Sequence, residues 1–122
     1  MSYRSKHNVL ALRLNKAGVD HFNARELLTM GGGHFSSRSS GYGLNKLPPD
    51  ELLPNIIPAI TALDRARGRL NRPVGINSTY RAPAYNKAIG GASKSKHLSF
   101  HAIDCHPFDL DHLDQLYRLL EE

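Results

Sequence analysis

Between residues 55 and 70 the apolar positions Ile56, Ile57, Ile60, Leu63 and Leu70 recur at helical spacing, which predicts an amphipathic helix. Pro58 falls in its first turn, where proline is tolerated, and Asn55 stands in a capping position. Asn71-Arg72-Pro73 ends it. A second stripe, Leu110, Leu113, Leu116, Leu119 and Leu120, predicts a last helix capped by Asp109. Asn23-Ala24-Arg25-Glu26 is a capping box opening a helix toward Met30, where Gly31, Gly32 and Gly33 stop it. The stretch Asn8–Leu14 is apolar but broken by Arg13, and fits either a strand or a short helix. The runs Val74–Thr79 and Phe100–Cys105 read as short strands. Pro83 opens a helical turn over Ala84–Ile89, closed by Gly90-Gly91. Residues 31–46, rich in Gly and Ser, read as a flexible loop. Its triple glycine is no phosphate cradle, since no G-K-[ST] follows. Helices interspersed with short strands predict an α+β domain.

Composition bounds this picture. With 122 residues and 40% hydrophobic content, the chain forms one domain, 1–122, around one core. Lys+Arg 16 against Asp+Glu 11 gives a net charge of +5, which favours anionic partners without selecting among nucleic acid, membrane surface and cell-wall polymer. The basic residues form neither a block nor a helix face, and tryptophan is absent, so nucleic-acid binding has little support. A single cysteine, Cys105, rules out an internal disulfide and a four-cysteine zinc module. No run approaches a membrane span, and no secretory cleavage site follows the N-terminal apolar stretch. Synthesis in the cytoplasm is expected, with any action on a cell wall following release of the phage type. Glu121 and Glu122 sit at the end of the last helix, where its dipole disfavours acids, and no cap follows. The chain reads as interrupted in mid-fold.

Candidate chemistry concentrates in Ser78–His106. Three of the seven histidines, His97, His101 and His106, fall there. His97 and Asp104 are seven apart, and a turn between them would bring an imidazole and a carboxylate together, a common partial set for Zn²⁺. His97 and His101 have the i, i+4 spacing of a zincin helix, but Leu98 stands where that motif needs glutamate. His106 would share a strand face with Asp104 and is a further candidate donor. Taken alone, a His and an Asp at this spacing are also ordinary surface or capping residues.

The surrounding residues resemble the zinc D-alanyl-D-alanine carboxypeptidases and related phage endolysin peptidases, of the Hedgehog/DD-peptidase fold. Ser95, His97, Ala102 and Asp104 match the family pattern S-x-H-x-x-G-x-A-x-D, with Phe100 at the glycine position. Ser78-Thr79-Tyr80-Arg81 is similar to the family's S-G-Y-R turn, and Tyr85-Asn86 with Ala88-Ile89-Gly90-Gly91-Ala92 to its Y-N-x-x-V-G-G-A. The resemblance implies a short antiparallel sheet with packed helices, lacking the C-terminal strand. It implies Zn²⁺ as cofactor, His97 and Asp104 as two of three ligands, and Arg81 and Ser95 as substrate-binding residues. Arg81 also fits a turn arginine paired with a local acid, and Ser95 also fits a cap.

The implied function is a metallopeptidase, a hydrolase directed at peptidoglycan stem peptides of the cell wall. No segment resembling the family's third ligand and general base follows, so no catalytic residue is identified. The alternative is a non-catalytic relative that binds cell-wall peptide or serves a phage structurally. With two ligands and no base, the chain is expected to bind zinc weakly and hydrolyse D-alanyl-D-alanine peptides little above background.

Overall fold

A computed structural model of the chain describes residues 1–108 and 112–121. Ser2 starts the first helix by accepting the Ser5 N–H on its hydroxyl; α1 runs Tyr3–Ala17, and Gly18 closes it at φ 74. The apolar stretch at 8–14 is therefore helical. Its cap lies well upstream of the apolar window, and Leu10 and Leu14, four apart, both face the core.

α2 (Ala24–Leu27) begins with both halves of the capping box in place, Glu26 N–H on Asn23 and Asn23 N–H on Glu26. It stops short of Met30. The Leu27 carbonyl, which a longer helix would use internally, instead accepts the Thr79 hydroxyl at 2.7 Å. A four-residue helix, α3 (Gly32–Phe35), interrupts the stretch read as loop, and His34 ties its far end back by accepting from Gly43 and Asn45.

α4 covers Ile57–Leu70, entered directly from a 3₁₀ turn over Asp50–Ile56 and closed by Asn71 at φ 53. Pro58 sits in its first turn as expected, whereas Asn55 is not its cap: the Asn55 amide donates to the Ser99 carbonyl at 2.9 Å. β1 (Val74–Ser78) pairs antiparallel with β2 (Asp104–Pro107), matching Gly75 with His106 and Ser78 with Asp104 across an irregularity after Ile76. Between them come α5 (Pro83–Ala88) and a 3₁₀ turn over Lys96–Ser99. The second strand thus starts later than its apolar run, because Phe100 takes φ 61 and closes the 3₁₀ turn instead.

α6 (Leu113–Glu121) packs on α4 and β2 through fully buried Leu116. The expected Asp109 cap and Leu110 lie outside the described residues, as do Asp111 and Glu122. Leu10, Leu27, Leu53, Ile56, Ile60 and Phe100 form the fully buried centre of the core. Each contributes roughly 1.5–3 kcal/mol by leaving water. The architecture is α+β: six helices around a two-stranded antiparallel sheet among the described residues. No helix among them is long and apolar enough to cross a membrane.

Candidate metal and peptide site

The site forms where β1 ends and β2 begins. After Ser78 the chain turns through Thr79–Ala82, and buried Asn45 fixes that turn. Asn45 Nδ2 donates to the Met30 and Tyr80 carbonyls at 2.8 and 3.1 Å, while its Oδ1 accepts the Ala82 N–H at 2.9 Å. Thr79, fully buried, anchors the same turn to Leu27. The Arg81 N–H donates to the His97 carbonyl at 3.1 Å, which docks the 3₁₀ turn alongside. Ser95 caps that turn by accepting the His97 N–H at 3.2 Å.

These constraints bring three side chains together. His97 Nε2 lies 3.3 Å from Asp104 Oδ1, and Arg81 Nη2 lies 3.0 Å from Asp104 Oδ2. Arg81 Nε reaches Ser78 Oγ at 3.4 Å and Nη1 reaches Asn86 Oδ1 at 3.5 Å. Asn86 is itself fastened, donating to the Ala92 carbonyl at 2.9 Å. Gly91 makes room for it, since a Cβ there would stand 2.0 Å from Asn86 Oδ1.

The tautomer of His97 follows from its partner. Nδ1 sits 2.6 Å from the Thr79 carbonyl oxygen, which only accepts, so Nδ1 carries the proton. In the neutral ring the Nε2 lone pair then faces a carboxylate oxygen. Two acceptors at this distance repel unless a proton or a cation lies between them. An Nδ1–H to carbonyl bond is also the arrangement that orients metal-ligating histidines. The 3.3 Å spacing equals the ~3.3 Å between two ligands of a tetrahedral zinc with bonds of ~2.0–2.1 Å. The pair fits a metal as two of its donors.

Other candidates stand apart. The His106 ring lies over Gly75 and against Phe108, with a centroid separation of 5.3 Å, and does not join the pair. His101 Nδ1 contacts Ser99 Oγ at 2.6 Å. Among the described residues no third His, Cys, Asp or Glu converges on His97 and Asp104. Cys105 adjoins Asp104, and burial, then the Asp104 charge, push its thiol up. Ser95 accepts the His97 N–H on its oxygen, which leaves its hydroxyl proton available to donate.

Phe100 explains itself here. The position where the resembled family has glycine is left-handed, at φ 61 and ψ 36. Phenylalanine pays that strain while its ring is fully buried, edge-on to Tyr80 at 6.5 Å. Three supporting residues had no role assigned from sequence: Thr79 and Asn86 lie inside the motifs, whereas Asn45 lies in the loop with no signal to mark it. A cavity of about 610 Å³ between α2, Phe35 and Ile76 includes none of these site residues.

Comparison with curated proteins and with solved structures finds no match. The family model described as Peptidase M15 matches residues 28–121, a span holding Asn45, Thr79, Arg81, Ser95, His97 and Asp104, and the chain belongs to that peptidase family.

Proposed function

We propose that this chain is a zinc-dependent peptidase-type domain directed at peptidoglycan stem peptides, of the D-alanyl-D-alanine carboxypeptidase or endolysin kind. The observation that carries it is His97, its Nδ1 engaged by the Thr79 carbonyl and its Nε2 aimed at Asp104. His97 and Asp104 would hold the metal, which when bound polarises a peptide carbonyl and acidifies a water. Thr79 keeps the imidazole in the ligating tautomer. Arg81, set by Ser78, Asn86 and, through Nη2, Asp104, offers the rest of its planar fork to a peptide carboxylate. Ser95, which caps the turn carrying His97, offers a hydroxyl.

Two protein donors among the described residues make zinc binding by this chain weak, and turnover close to background. That favours, as a second reading, a relative that binds cell-wall peptide without cleaving it. Calorimetric zinc titration of the wild type, His97→Ala and Asp104→Asn tests the metal assignment, with circular dichroism to verify folding. One zinc per chain, lost in both variants, is expected. Zinc binding that survives both substitutions, or none in the wild type, overturns it. Chelator-sensitive hydrolysis of diacetyl-Lys-D-Ala-D-Ala separates the two readings.

A further inference from the structure

Beside the candidate site lies a cavity of about 360 Å³, lined by Pro83, Asn86, Lys87, Gly91, Ser93 and Leu98. That falls within the ~300–1,000 Å³ that ligand pockets occupy. Asn86 joins cavity to site: it lines the one, and its Oδ1 lies 3.5 Å from Arg81 Nη1 in the other. Leu98 follows His97 on the same 3₁₀ turn. Pro83, Gly91 and Leu98 give apolar walls. Lys87 is the one charged residue in the lining; it is exposed, and among the described residues its ammonium has no hydrogen-bond or ion-pair partner. No Asp or Glu occurs between Asp64 and Asp104, whereas Arg81, Lys87, Lys94 and Lys96 crowd this segment. Arg81 is engaged by Asp104 at 3.0 Å, but no acid on that segment competes for Lys87.

We propose that this cavity is a subsite for an anionic residue of the peptide substrate, with Lys87 selecting its carboxylate. The proposal rests on the reading of Arg81 as the anchor of a peptide carboxylate. An extended peptide advances ~3.3–3.4 Å per residue, so one anchored on Arg81 carries a neighbouring side chain past Asn86 into the cavity. The apolar walls cover its methylenes and Lys87 pairs with its charge. A neutral isostere loses only the ion pair, and a basic side chain is repelled.

The test uses the full chain with zinc present and fluorescently labelled tetrapeptides ending in a free carboxylate. Glu or Gln is placed at each of the two positions before the last residue, and binding is read by anisotropy. At one position the Glu peptide should bind about fivefold more tightly than its Gln counterpart, a preference that shrinks in about 0.5 M salt. Lys87→Gln should abolish the preference, so that the Glu and Gln peptides bind alike, and Lys87→Glu should reverse it. A preference that survives Lys87→Gln, or is absent from the wild type, overturns the subsite. The Arg81 reading still stands in that case if Arg81→Ala weakens every peptide. Failure of all peptides to bind overturns both.

Discussion

Phe100 carries two opposing energies, and substituting it separates them. Its ring is fully buried, so Phe100→Ala should cost about 3–5 kcal/mol. Its backbone lies at φ 61, where any residue with a Cβ is strained by roughly 1–2 kcal/mol. Glycine removes that strain but gives back ~0.4–1 kcal/mol through a more disordered unfolded chain. Phe100→Gly should therefore fall short of the wild type by ~2.5–4 kcal/mol, yet exceed Phe100→Ala by ~0.5–1 kcal/mol. In helix or strand interiors the order is the reverse, with glycine below alanine. For a chain of 122 residues each kcal/mol moves Tm by ~3–5 °C, so the two variants should differ by ~2–4 °C. Urea titration followed by circular dichroism measures both, with thermal melts as a second readout. A Phe100→Gly protein less stable than Phe100→Ala would refute the left-handed assignment, and one as stable as the wild type would refute the burial.

Arg81→Lys should leave zinc binding intact while weakening peptides with a free terminal carboxylate, because the planar fork is lost; equal affinities by calorimetry would count against it. Asn45→Ala should destabilise the fold by roughly 2–4 kcal/mol in urea titration, since it strips the partners from the Ala82 N–H and two carbonyls at once. Lys6, through its hydrogen bond, and then the N-terminal ammonium, hold the Asp50 carboxyl below its ordinary 3.8. Its stabilising contribution is thus complete above about pH 4 and is lost as pH falls through the lowered value. Asp50→Asn should flatten that part of the acid limb of a stability-against-pH curve; an unchanged acid limb would show that Asp50 contributes nothing there.

What the sequence determined by itself were the features whose physics is local. The stripe at 56–70, the Asn23–Glu26 capping box and the proline-opened α5 each follow from neighbours within one or two turns. That His97 and Asp104 come together across a turn was legible from their spacing and side-chain chemistry, and the structure sets them 3.3 Å apart with Arg81 alongside. Tertiary structure decided the rest. Whether 8–14 was strand or helix depended on a cap at Ser2 outside the apolar window, and on a core to receive Leu10 and Leu14. Where α2 stopped was set by a hydroxyl fifty-two positions away, Thr79, taking the Leu27 carbonyl. Phe100 reads as a strand residue by propensity, yet it is left-handed because a fully buried ring outweighs the backbone strain of placing it there. The tautomer of His97 came from a backbone carbonyl, a group every residue carries and no pattern of side chains can mark.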